Sequence, residues 1–241
     1  MKMKLLAIDT ATKIAGAAVL NESGVLAESW LNTGKTHSQK FLPMLEDMLT
    51  NSDITLGEID CFAVTVGPGS FTGVRIGLAT VKGFLQVVQK PAVSVVTLDA
   101  LCRNLSERQG LICPMLDARK NEVYTALYRN EAGAITRIAP HRAMSPSQLL
   151  QELKLQNEKI TFLGDGALVY REKFQDELGA NAVFAEHTRN YLRPSEVAFI
   201  GWEKFQLGEI AGINDLKPLY LRLSEAEVKW AETHGGCGCD G

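Results

Sequence analysis

One strand-end aspartate and two glycine turns hold the residue types in this chain that could handle a phosphate. Asp9-Thr10-Ala11-Thr12 closes the first apolar run. An aspartate there can orient a Mg²⁺-bound water or simply bond the local backbone amides. Gly67-Pro68-Gly69-Ser70 follows a continuous apolar and β-branched run ending at Val66 and opens a helical stretch to about Val88. Ser70 or Thr72 can cap that helix, whose free N–H groups attract an anion. Gly67, Gly69 and Gly73 could therefore admit backbone amides to a phosphate. The competing reading is close packing, and it weighs more. Gly73, Gly77 and Gly83 lie within the helix, where each glycine costs roughly 0.5–1 kcal/mol against alanine unless another backbone comes near. Gly164-Asp165-Gly166-Ala167 is the second candidate nucleotide loop, explained equally well as a strand-to-helix turn. Asp117, Arg119 and Glu122 could form a polar cluster facing a cleft, although an ion-paired hairpin is the commoner reason for such a trio.

Metal and nucleophile chemistry find little here. His37, His141, His187 and His234 are scattered, no Gly-x-Ser-x-Gly elbow is present, and Cys61, Cys102 and Cys113 sit in apolar surroundings as small hydrophobes. The tail holds His234, Cys237 and Cys239, three soft donors where a structural zinc site wants four. It reads as a flexible tail, with no metal site expected anywhere in the chain. A net charge of −3 and a pI near 5.9 argue against a direct nucleic-acid binder, since such proteins neutralise phosphates with Lys and Arg. The Arg119-Lys120 and Arg171-Lys173 clusters are interleaved with or followed by acids. Four apolar residues between Lys4 and Asp9 are too few for a secretory core, and no apolar run approaches the ~18 residues of a membrane span. A reducing cytoplasm is expected.

The elements that must position these residues fall into two groups. Lys4–Asp9, Ala15–Leu20 and Val25–Leu31 read as strands, with a hairpin turn at Asn21-Glu22-Ser23-Gly24. Phe41, Leu42, Leu45, Met48 and Leu49 recur at helical spacing, which predicts a helix over Thr36–Thr50 with Pro43 in its first turn. Strand Ile59–Val66, helix Thr72–Val88 and strand Ala92–Val96 then make a parallel crossover. A short helix from Thr97 reaches Asn104, and the composition changes near Leu105–Gly110. Beyond it come strands Met115–Arg119, Glu122–Tyr128 and Ile160–Leu163, helices after Ser145, over Ala167–Leu178 and up to Leu207, and a closing strand Pro218–Arg222. The chain of 241 residues divides into lobes 1–107 and 108–225 and a tail 226–241. It is an α/β fold with two lobes of mixed sheet flanked by helices.

Gly67-Pro-Gly-Ser-Phe-Thr-Gly-Val-Arg-Ile-Gly77, with Leu6-Ala-Ile-Asp-Thr-Ala-Thr12 and Leu116-Asp-Ala-Arg-Lys-Asn-Glu-Val-Tyr124, closely resembles the bacterial TsaB (YeaZ) family from about Lys4 to Arg222. The resemblance implies the actin-like/sugar-kinase/Hsp70-like (ASKHA) fold and a part in making tRNA threonylcarbamoyladenosine beside the anticodon. It implies a non-catalytic subunit that pairs through its first helices with itself, as a homodimer, or with the catalytic homologue TsaD, the ATPase TsaE joining that pair and tRNA being held mainly by partners. The TsaD subunit's two metal histidines correspond to Thr97 and Leu101, which cannot replace imidazole. Ala11 stands where kinase relatives place a phosphate-loop glycine, and its Cβ keeps amides from an anion. Asp9, Thr12, Gly164, Asp165 and Gly166 are thus weak nucleotide candidates. No cofactor is expected in the isolated chain, although ATP or ADP could bind at a composite interface with partners. Phe41, Leu45, Met48, Gly73, Ile76, Gly77, Thr80 and Phe84 are the expected partner interface. The rival expectation is a free-standing ATP-dependent phosphotransferase of the same fold, which would need both loops to close on one nucleotide.

Overall fold

In the computed structural model, which describes residues 2–33 and 37–222, three strands open the chain: β1 (Leu5–Asp9), β2 (Ala15–Asn21) and β3 (Gly24–Leu31). β1 is buried along its whole length, and β2 pairs antiparallel to it with Asp9 opposite Gly16. The β2–β3 turn is closed by Asn21 Oδ1, which accepts from the Ser23 N–H, and by Gly24 at φ +119°. Helix α1 (His37–Asn51) buries Phe41, Met44, Leu45 and Met48. Pro43 lies inside α1, not in its first turn as the sequence suggests. Its ring sits on the exposed side, where water can take the carbonyl that proline leaves without a donor. β4 (Cys61–Gly67), α2 (Phe71–Val88) and β5 (Ala92–Val96) form the predicted crossover, with β4 parallel to both β1 and β5. The first sheet runs β3-β2-β1-β4-β5.

Helix α3 (Thr97–Arg103) leads to β6 (Gly110–Arg119), β7 (Glu122–Glu131) and β8 (Ala134–Met144), a meander continued by α4 (Pro146–Leu153) and β9 (Ile160–Leu163). After it come α5 (Asp165–Val169), α6 (Arg171–Leu178), β10 (Ala182–Phe184) and α7 (Pro194–Gln206). The second sheet runs β10-β9-β6-β7-β8. β8 carries no apolar alternation and is exposed or half-buried at every position but Met144, so its ladder with β7 makes it a strand. The helix expected over Ala167–Leu178 is two helices, broken at Tyr170. Pro218–Arg222 is not a closing strand: among the described residues its single ladder-like bond is Leu219 N–H to Val66 O at 2.7 Å. That segment is a strap crossing from the first sheet to the second. Tyr220 stacks on Phe71 at 4.7 Å, and Arg222 Nη1 donates to Ala118 O at 2.6 Å.

Three apolar clusters fill the interior. α1 and α2 pack on one face of the first sheet, and α4 and α6 on the second sheet. The third cluster is shared: Leu5, Ala7, Val93 and Val95 of the first sheet join Ile112, Leu116, Tyr124 and Tyr128 of the second, with α3 and α7 between them. The composition change near residues 105–110 marks a change of sheet across a common core. Lys13 and Asp165, 3.1 Å apart, also join the two candidate loops.

Candidate functional site

Asp9 ends β1 with its carboxylate fully buried and committed. Oδ1 accepts from Thr65 Oγ1 at 2.6 Å and from the Ala11 N–H at 3.0 Å, while Oδ2 accepts from Thr12 Oγ1 at 3.3 Å. Burial pushes its pKa up against those hydrogen bonds and the nearby His37. The turn it holds lies directly on the start of α2. Ala11 O accepts from the Ser70 N–H at 2.8 Å, Thr10 Oγ1 donates to Gly73 O at 2.7 Å, and Ser70 Oγ caps Gly73 N–H at 3.2 Å. A Cβ on Gly69 or Gly73 would strike the Ala11 or Thr10 carbonyl oxygen. These glycines therefore admit the chain's own backbone, the packing reading of the motif. The Ser70 amide at the head of α2, of the kind that can face an anion, meets a carbonyl oxygen of the same chain instead.

The second loop is built the same way. Gly164 has φ +101°, and its Cβ would meet Met115 O; a Cβ on Gly166 would lie 3.0 Å from Leu116 C. Both glycines let α5 press on the β6 backbone. Asp165 Oδ1 accepts from the Asp117 N–H at 3.0 Å, and its Oδ2 faces Lys13. Thus Asp9, Thr12, Gly164, Asp165 and Gly166 are brought to one side of the fold, linked through Lys13. The polar trio separates: Asp117 Oδ1 accepts from the Arg119 N–H, and Glu122 pairs with Arg222 of the strap at 2.9 Å. Thr97 and Leu101 are fully buried on α3, and no group of three or more His, Cys, Asp or Glu side chains gathers among the described residues. His234, Cys237 and Cys239 lie outside them.

The expected partner interface divides in two. Phe41, Leu45, Gly73 and Gly77 are buried in the chain's own core, while Met48, also buried, borders the groove between β3 and α1. A Cβ on Gly77 would stand 2.6 Å from Thr10 Oγ1 and 3.5 Å from Val64 Cγ2. The glycine spacing marks the approach of α2 to β1, not to another helix. Ile76, Thr80 and Phe84 are half-buried, Phe84 resting on Phe62. With exposed Thr72, Ala79, Gly83 and Val87 they form an uncharged outer stripe on α2, bounded by Arg75 and Lys82. α2 is long and apolar enough to cross a bilayer by length and composition; its inner side packs on the first sheet.

Sequence reasoning missed a polar cluster at the junction of the sheets. His141 Nε2 lies 2.7 Å from Asp99 Oδ1, and Tyr128 OH donates to the same oxygen at 2.5 Å. Arg137 Nη1 lies 3.1 Å from the His141 ring. Burial pushes Asp99 up, but its bonds to His141 and Tyr128 win and hold the carboxyl below its ordinary value. No sequence spacing signals this, because the members come from α3, β7 and β8.

Comparison with known proteins places this geometry. The family described as "TsaD: tRNA N6-adenosine threonylcarbamoyltransferase" matches residues 24–230. The tRNA threonylcarbamoyladenosine biosynthesis protein TsaB of Bacillus subtilis (strain 168) is 36% identical over 231 residues, covering 96% of this chain and 99% of that one. The protein of the same name from Escherichia coli (strain K12) is 30% identical, with 97% and 99% covered. A crystal structure from Pseudomonas aeruginosa, described as similar to peptidase YEAZ, superposes with a TM-score of 0.79 at 26% identity, covering 91% of this chain and 100% of that one. The two-sheet architecture is the actin-like, sugar-kinase-like fold. On these whole-length likenesses, the chain belongs to the TsaB (YeaZ) family of tRNA threonylcarbamoyladenosine biosynthesis proteins.

Proposed function

We propose that this chain acts in the synthesis of tRNA threonylcarbamoyladenosine as a non-catalytic scaffold subunit. It pairs with a TsaD-like catalytic homologue, and a TsaE-like ATPase joins the pair; alone, it forms a homodimer. The observation that carries this reading is the uncharged outer stripe of α2, Thr72-Ile76-Ala79-Thr80-Gly83-Val87, on a helix whose other side is locked to β1. Small residues let a second helix approach closely. Exposed Leu42 of α1 offers a further apolar contact.

The candidate loops support a scaffold over a free-standing phosphotransferase. Asp9 is consumed by Thr65, Ala11 and Thr12, and at the head of α2 the Ser70 amide is taken by the Ala11 carbonyl and the Gly73 amide by Ser70 Oγ. A nucleotide would then belong to a composite interface with partners. With a net charge of −3, tRNA is held mainly by those partners. The buried thiols fit the reducing cytoplasm where tRNA is modified: burial pushes Cys61 and Cys113 up to about 12. The test combines this protein with TsaD-like and TsaE-like proteins and follows threonylcarbamoyl transfer to tRNA. Transfer is expected with all three and lost when this chain is omitted; full transfer without it would overturn the scaffold reading.

A further inference from the structure

Between β3 and α1 runs an open groove of about 810 Å³. Its floor is formed by Leu26, Ala27, Glu28, Ser29 and Leu31 of β3, and its wall is the side of α1 bearing Lys40, Pro43, Met44, Asp47 and Met48. β3 is the edge of the first sheet and pairs only with β2, so its outward N–H and C=O groups are open among the described residues. Natural edges are usually guarded by charge, proline or a covering element. Among the described residues this one is unguarded. From Val25 to Leu31 the single charged residue is Glu28, whose carboxylate is taken on the opposite face by Arg193 at 2.5 Å and the Ser195 N–H at 2.9 Å. Val25, Leu26 and Trp30 stay exposed at 42%, 42% and 48%.

From this we infer that the β3–α1 groove docks an extended segment of a partner protein, which adds to β3 as a sixth strand. The backbone edge supplies hydrogen bonds, and the apolar wall receives alternate side chains. Met44 and Met48 are unbranched and can adapt to the incoming residue. The wall also sets a charge pattern. Lys40 and Asp47 have no side-chain partner among the described residues. Seven helical steps of about 1.5 Å put their Cα atoms roughly 10.5 Å apart along α1. Two same-face residues four positions apart in an extended chain are separated by about 13 Å, within reach of these side chains. The segment therefore carries an acid to meet Lys40 and a base to meet Asp47, with an apolar residue between them against Met44. This surface is separate from the α2 stripe.

The probes are two fluorescein-labelled nonapeptides, Thr-Val-Thr-Glu-Thr-Val-Thr-Lys-Thr and its counterpart with Glu and Lys exchanged, assayed by fluorescence anisotropy with the full chain. A third peptide has proline in place of the central threonine, removing a ladder donor. One charge order is expected to bind at least tenfold more tightly than the other, and the proline peptide at least tenfold more weakly than its parent. The Lys40→Glu/Asp47→Lys double exchange lies on exposed positions and should invert the preferred order. Hydrogen exchange should show new protection of amides within Val25–Leu31 when the preferred peptide is bound. Absence of binding by either order at millimolar peptide, equal binding of the proline peptide, or an order preference untouched by the double exchange would overturn the proposal. Self-association abolished by that exchange, without peptide binding, would instead assign the groove to a second copy and also overturn it.

Discussion

Gly77 and Ala79 sit two residues apart on α2 and should respond in opposite ways, because they face opposite sides of the helix. A Cβ at Gly77 lands 2.6 Å from Thr10 Oγ1, the hydroxyl that bonds Gly73 O and fastens the Asp9 turn to α2. Even Gly77→Ala must displace that hydroxyl. Overpacking of this kind costs about 1–3 kcal/mol, against about 1 kcal/mol recovered from helix propensity. At about 2–4 °C per kcal/mol in a chain of this size, the net loss is up to several degrees in Tm. Gly77→Arg should unfold the first lobe. Ala79 is exposed, and arginine there costs the monomer only a few tenths of a kcal/mol in propensity. Pressed against a partner helix, however, the same charge is buried without a counter-ion, a loss of about 3–5 kcal/mol and a factor of about 10² to 10⁴ in association. Sedimentation velocity of the protein alone and with a TsaD-like partner, alongside near-UV circular dichroism and melting curves, separates the two cases. Ala79→Arg should melt like wild type and fail to pair. A folded Ala79→Arg variant with wild-type pairing would refute the α2 assignment, and a Gly77→Arg variant with unchanged melting would refute the packing argument.

Asp9→Asn should keep the acceptor for Thr65 and Ala11, so its melting temperature at pH 7 is expected within a few degrees of wild type. Because burial raises the Asp9 pKa in the folded state, its stabilising contribution is full below the unfolded pKa and lost as pH rises through the folded value; Asp9→Asn should flatten the stability profile on that limb, and an unchanged profile would refute this. Asp9→Ala should instead cost about 1–3 kcal/mol for each donor left unpaired, read by urea unfolding. Asp99 has the opposite sign: its lowered pKa contributes stability that is present above about pH 3.9 and lost as pH falls through the folded value, so the gap between wild type and Asp99→Asn should close on acidification. A gap constant from pH 7 to pH 3 would contradict the cluster's role. Calorimetry with Mg-ATP should show no low-micromolar binding to the isolated chain or to Ala11→Gly, since the carbonyl of residue 11 still holds the Ser70 amide at the head of α2 after that change; a dissociation constant near 1 μM, about −8 kcal/mol, in either protein would revive the phosphotransferase alternative.

The strands and helices of the first lobe were legible because their signals are local. The apolar run of β4 has no polar face to expose, so both sides of that strand must be covered. Ser70 and the glycines after it announce a capped helix by side-chain chemistry alone. The same holds for Ser145 and Pro146, which open α4 with a capping box. Elements without a local signature were invisible. β8 is exposed or half-buried at every position but one and exists through its ladder with β7, while Pro218–Arg222 carries strand-like residues but, among the described residues, finds a neighbour for only one ladder-like bond. Family membership was also legible, since the motif around Gly67–Gly77 is long and specific. What the glycines approach was not. Gly73 and Gly77 show in sequence only that something comes close; the fold decides that it is the Thr10 turn of the same chain, because the crossover lays α2 across β1. The Asp99, Tyr128 and His141 cluster likewise exists only once α3 is set against the second sheet. A pattern in sequence fixes which face of an element is apolar, but which surface meets it depends on contacts between residues far apart in the chain, and only the tertiary structure supplies those.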